Sequence, residues 1–162
     1  MQHTAAGRGS AQWHDENTSG TRNRLEITCC VTPDSWDPAA GTVVPVHRLA
    51  QALLDPAFDR DGITIAGGEP FHQPEGLWAL IQELRVRGCR HLLVYSGYTY
   101  ERLRRMAGRQ PAIDAILDEI DVLIDGPYVQ VLAEGADPWT GSSNQRVLQL
   151  RSGVPSLWKE DQ

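Results

Sequence analysis

The apolar positions of this chain fall into short runs that switch between two periods. Val46, Leu49, Ala50 and Leu53 recur at helical spacing with Pro56 just beyond, which predicts a helix that stops before the proline. Gly62-Ile63-Thr64-Ile65-Ala66 is a β-rich run that halts at Gly67-Gly68. Leu77, Leu80, Ile81 and Leu84 then share one helical face, and Gly88 stands where a C-terminal cap belongs. His91 to Tyr95 predicts the next strand, ended by Ser96-Gly97. Helical spacing returns over Tyr100 to Met106 and over Ala112 to Ile120. Asp121 to Ile124 predicts another strand, closed by Asp125-Gly126-Pro127, and Arg146 to Leu150 predicts a last one. Upstream, Arg24 to Thr28 alternates and predicts a short first strand. Cys30 to Gly41, with Pro33 and Pro38, reads as an irregular loop.

Short strands alternating with helices predict an α/β fold. It is either a partial (β/α) barrel or an open, mostly parallel sheet of alternating βα units with right-handed crossovers. In such folds ligands sit at the C-terminal ends of the strands. Gly67-Gly68, Ser96-Gly97 and Asp125-Gly126-Pro127 all fall at such ends. The pattern therefore gathers the candidate chemistry along one rim. Residues 1–21 are polar and aperiodic and read as a flexible tail, leaving 22–162 as a single domain.

Composition narrows the function classes. Of 162 residues, 41% are apolar and 22% charged, with a net charge of −6. That mildly acidic balance argues against nucleic acid as a partner, and Arg102 to Arg105 reads as a solvated helix face. No run is apolar and long enough to cross a bilayer, and no signal-peptide pattern opens the chain. The expectation is a cytoplasmic protein with no membrane partner. Its three cysteines, Cys29, Cys30 and Cys89, form no disulfide framework.

Gly67-Gly68-Glu69-Pro70 carries the strongest local chemistry. Two glycines let the backbone turn tightly and approach a ligand, Glu69 offers a fixed carboxylate to an ammonium group, and Pro70 freezes the exit. A plain strand-to-helix turn would use the same residues, and the motif alone divides evenly between the two. Cys89-x-His91 lacks the further ligands of a zinc site. Cys89 precedes a strand and is expected on the opposite, N-terminal edge. His72 reads as a satisfied surface histidine that could face the rim. Trp36 and Trp139 read as packing residues. A dinucleotide fingerprint after the first strand is absent, and vicinal cysteines lack the C-x-x-C spacing of thiol redox proteins.

The blocks taken together are more specific. Gly67-Gly68-Glu69-Pro70 resembles the GGEP motif of radical S-adenosylmethionine enzymes. Tyr95-Ser96-Gly97-Tyr98-Thr99, Asp121 to Tyr128, and Gly141-Ser142-Ser143-Asn144-Gln145-Arg146 follow in order. Upstream, Pro33 to Pro38 resembles the segment after the last cluster cysteine. Over roughly residues 24–150 the chain resembles the small activases of glycyl-radical enzymes, in particular those serving anaerobic ribonucleotide reductases. The resemblance implies S-adenosyl-L-methionine and a 4Fe–4S cluster as cofactors. It implies a glycyl-radical reductase subunit as partner and a flavodoxin-type protein as electron donor. Gly67, Gly68, Glu69, Pro70, Ser96 and Asp125 would line the cofactor, Cys30 and Cys29 would be the metal ligands, and no residue carries over as a catalytic group.

The family's three cysteines stand in a CxxxCxxC loop after the first strand. Aligning Trp36-Asp37-Pro38 places Cys30 at the third cysteine, while Ile27 and Asn23 stand where the second and first belong. Two readings follow. One is a radical activase. The other is a cluster-deficient member or truncated copy that acts as a module binding S-adenosylmethionine or a partner.

Overall fold

The computed structural model of the protein describes residues 12–13 and 43–158. The strand expected at 24–28, the loop at 30–41, and the candidate ligands Cys29 and Cys30 lie outside the described residues, as does most of the proposed tail. Strand β1 (Gln12–Trp13) pairs antiparallel with β2 (Val44–Pro45). Helix α1 (Val46–Leu53) follows and buries Val46 and Ala50.

The sheet is built by β3 (Ile63–Ile65), β4 (Leu92–Tyr95), β5 (Val122–Asp125), β6 (Arg146–Arg151) and β7 (Val154–Leu157), side by side in chain order. Strands β3, β4 and β5 run parallel. Between β3 and β4 lies α2 (Pro74–Val86), and between β4 and β5 lie α3 (Tyr100–Ala107) and α4 (Pro111–Glu119). Each helix starts at a recognisable signal. Pro74 and Pro111 occupy first-turn positions, where a missing N–H costs nothing. Thr99 caps α3, its hydroxyl accepting from the Arg102 amide at 3.3 Å.

Parallel strands in sequential order with right-handed crossovers place their helices on one face. The register agrees with that arrangement. Ile65, Val94, Leu123 and Leu148 are partners across four strands and all belong to the core. They pack there with Leu77, Leu80, Ile81 and Leu84 of α2 and Ile113, Ile116 and Leu117 of α4. Burying one such side chain stabilises the fold by about 1.5–3 kcal/mol. The apolar stripes read from the sequence are thus the core faces of these helices. The opposite sheet face carries Thr64, Leu93, Tyr95 and Gln149, which are half-buried or exposed, with Ile124 buried among them.

The parallel character ends sooner than expected, after three strands. β6 pairs antiparallel with β5, and β7 pairs antiparallel with β6. A parallel return needs a covering helix, and residues 126–145 hold only a 3-10 turn at Gln130–Gly135. Nor is β6 the last strand. Ser152 and Gly153 both take left-handed backbone, with φ of 49° and 74°. That makes the two-residue hairpin turn whose twist suits the flanking strands.

Candidate cofactor-binding rim

Because β3, β4 and β5 are parallel, the turns after them meet at one edge. Gly67 and Gly68 are exposed and left-handed, with φ of 91° and 53°. A Cβ placed on either would meet nothing within 4 Å among the described residues. Both glycines are therefore required by backbone conformation, and no described residue crowds them.

Beneath them, Glu69 starts the 3-10 turn Pro70–His72 and holds the rim together. Its Oε1 accepts from the Phe71 amide at 3.1 Å and from the Ser96 hydroxyl at 2.9 Å. Its Oε2 accepts from the Gly97 amide at 2.7 Å. One carboxylate thus ties the turn after β3 to the turn after β4. Burial pushes its pKa above the ordinary 4.5, although these three hydrogen bonds and the charge of Arg102 pull the other way. Oε2 has one donor and keeps acceptor capacity for a ligand cation. Ser96 is buried, and its hydroxyl also accepts from the Tyr98 amide at 3.0 Å. Pro70 is buried under the turn.

Asp125 ends β5 at the same edge, fully buried. Its Oδ2 accepts from the Tyr100 amide at 2.7 Å, at the start of α3, and its Oδ1 from Arg146 Nε at 2.8 Å. Arg146 Nη2 closes a second contact to Oδ2 and also reaches Glu101 Oε2 at 2.9 Å. Arg146 holds the Glu101 carboxyl down at about 2. The Asp125 carboxylate is thus engaged by the fold and sealed from solvent. It positions Arg146 and the first turn of α3.

Sequence reasoning gave Glu101 no role, read Arg102 as part of a solvated helix face, and named Tyr98 and Arg146 only within blocks resembling the family's. Arg102 is exposed, as a solvated helix face requires, and its guanidinium also lies 4.2 Å from the Tyr98 ring centroid, a cation–π contact on the rim. His72 Nε2 stands 2.7 Å from the Tyr98 hydroxyl, which places His72 on the rim. Residues 126–145 are sewn over the same edge. Gln145 donates to the Gly126 carbonyl at 2.9 Å, Asn144 to the Pro127 carbonyl at 2.7 Å, and the Val129 amide to Ser142 Oγ at 3.1 Å. Trp139, expected to pack, is 53% exposed there. Its carbonyl accepts from the Tyr95 hydroxyl at 2.8 Å.

The opposite edge is separate. Cys89 is buried beside His91, its thiol donating to the His91 carbonyl at 3.4 Å. Asp121 Oδ2 accepts from the Leu92 amide at 2.7 Å and from Arg85 at 3.0 Å, which fastens the start of β4 to the start of β5. Among the described residues no group of three or more His, Cys, Asp and Glu could hold a metal ion. No helix among them is long and apolar enough to cross a membrane.

Residues 24–148 match the family of the 4Fe-4S single cluster domain. The anaerobic ribonucleoside-triphosphate reductase-activating protein of Haemophilus influenzae is 32% identical over 149 residues, covering 83% of this chain and 92% of that protein. The protein of that name from Escherichia coli K12 is 31% identical over the same shares. The isethionate sulfite-lyase activating enzyme of Nitratidesulfovibrio vulgaris is 33% identical over 116 residues, 69% of this chain and 34% of that enzyme. No solved structure matches. The matched stretch contains the whole rim from Gly67 to Arg146, and on that ground this chain belongs to the 4Fe–4S single-cluster family of radical S-adenosylmethionine activating proteins.

Proposed function

We propose that this protein is a glycyl-radical activase for an anaerobic ribonucleotide reductase, and that it binds S-adenosylmethionine at the rim. The observation that carries the cofactor reading is the Glu69 carboxylate, fixed by three donors beneath an open Gly67-Gly68 turn. A rigid carboxylate with acceptor capacity left suits the ammonium of an amino acid, and the exposed glycine backbone suits its close approach. Pro70 and Ser96 hold Glu69 in place. Asp125 acts one step back, orienting Arg146 and the N-terminus of α3. The order of blocks shared with the activating proteins supports the reductase as partner.

S-adenosylmethionine supplies the radical chemistry by which such activases take a hydrogen atom from a glycine Cα of the reductase. This chain's residues seat its methionine end, pair its ammonium with Glu69, and keep the rim turns in register. Val131 and Trp139, in the stretch between β5 and β6, expose apolar surface that a protein partner would cover. A flavodoxin-type protein as electron donor, a cytoplasmic setting, and no nucleic-acid or membrane partner complete the proposal.

The test is anaerobic incubation with the reductase from the same organism, S-adenosylmethionine and a reduced flavodoxin. A glycyl-radical EPR signal that needs this chain is expected. A reductase that acquires no radical, beside a parallel sample activated by the Escherichia coli relative, would count against the proposal.

A further inference from the structure

A four-iron cluster is held by cysteine thiolates, four of them in a closed site and three where one iron is left for substrate. The chain contains three cysteines in all. The fit therefore turns on whether Cys89 can reach the rim, and the fold answers that it cannot. Cys89 lies just before β4, level with Gly62 at the start of β3, where the Ile63 amide donates to the His91 carbonyl at 2.9 Å. The Gly67-Gly68 turn lies at the other end of the same strands. Four residues of chain stand between Gly62 and Gly67, five steps that span up to about 16 Å at about 3.3 Å per residue.

Cys89 is also only 7% exposed and sits in the core cluster. Its thiol is engaged by the His91 carbonyl, and burial pushes its pKa above the ordinary 9.0, away from the thiolate a metal takes. Two cysteines remain, and they are sequence neighbours. The residues at the spacing of the other two ligands are Asn23 and Ile27, and neither side chain is a thiolate.

We infer that one chain of this protein does not complete a four-iron cluster, because it can bring at most two of its own thiolates to the site. A third ligand would have to come from outside the chain or from a side chain that is not a cysteine. The inference rests on the activase reading and deepens it, since it separates two capacities: binding S-adenosylmethionine, which the rim residues support by themselves, and holding the cluster, which they do not.

The test is anaerobic reconstitution with iron and sulfide, followed by desalting free of small thiols. Iron per chain, mass in solution and the EPR of the reduced sample with and without S-adenosylmethionine are then measured. The Escherichia coli relative is the parallel control. Iron well below four per chain is expected, with no signal that responds to S-adenosylmethionine and no change in Cys89→Ala. Close to four irons on a monomeric chain would overturn the inference. So would iron content that falls in Cys89→Ala while the variant keeps its circular dichroism and unfolding midpoint. A separate titration of S-adenosylmethionine into the iron-free chain tells this result from failure of the functional reading. Absent binding there would sink the rim's assignment and leave the iron result standing.

Discussion

Glu69 and Asp125 show how two carboxylates at one rim receive different tasks from their surroundings. Glu69 keeps acceptor capacity beneath an open turn, whereas Asp125 is sealed and engaged by Arg146 and the Tyr100 amide. Burial raises the Glu69 pKa above 4.5, and two opposite trends follow. Binding of an ammonium needs the carboxylate, so affinity for S-adenosylmethionine should begin to fall, on acidification, above pH 4.5. The contribution of Glu69 to folding runs the other way, fully present below its unfolded pKa and lost as pH rises through the folded one. Calorimetry and denaturant unfolding over that pH range, with Glu69→Gln as reference, check both. Glu101, held at about 2 by Arg146, should contribute stability above pH 4.5 that is lost as pH falls toward 2, and little of it because the pair is exposed. Arg146→Ala leaves Asp125 buried without its cation and should cost about 2–3 kcal/mol in urea unfolding. A loss under 0.5 kcal/mol would contradict the role given to Arg146.

Among the elements, the helices were the most legible. Leu77, Leu80, Ile81 and Leu84 announce their face in the sequence, and all four lie in the core. Strand direction was not legible, because alternation along Arg146 to Leu150 is the same whether the strand runs with or against its neighbour. The deciding feature was the helix-free stretch 126–145. The hairpin after β6 left a local signal that went unread, Ser152-Gly153 between two β-rich runs. At the glycine turn, sequence and structure agree on the need for flexibility but not on its reason. Gly68 is set by its left-handed φ of 53°, and no crowding from the described residues contributes. Gly68→Ala should therefore cost only about 1 kcal/mol in stability, while its methyl, standing on the open side, weakens S-adenosylmethionine binding. Unaltered binding alongside that stability loss would place the ligand elsewhere.

For the molecule as a whole, the gathering of three turns at one edge was readable from βα alternation alone, and so was the exile of Cys89 to the other. What could not be read were contacts made across elements, such as those of Arg146 with Asp125 and Glu101. Their partners are separated by up to 45 positions in sequence, and no local pattern encodes them. On the proposed function, the rim seats S-adenosylmethionine through Glu69 without help from Cys89. The most direct test of this claim is a calorimetric titration of S-adenosylmethionine into the wild-type chain, Glu69→Gln and Cys89→Ala. At least a tenfold weaker affinity is predicted for Glu69→Gln, whose amide would oppose one of the donors now satisfied, with Cys89→Ala unchanged. Equal affinity in wild type and Glu69→Gln would contradict the claim.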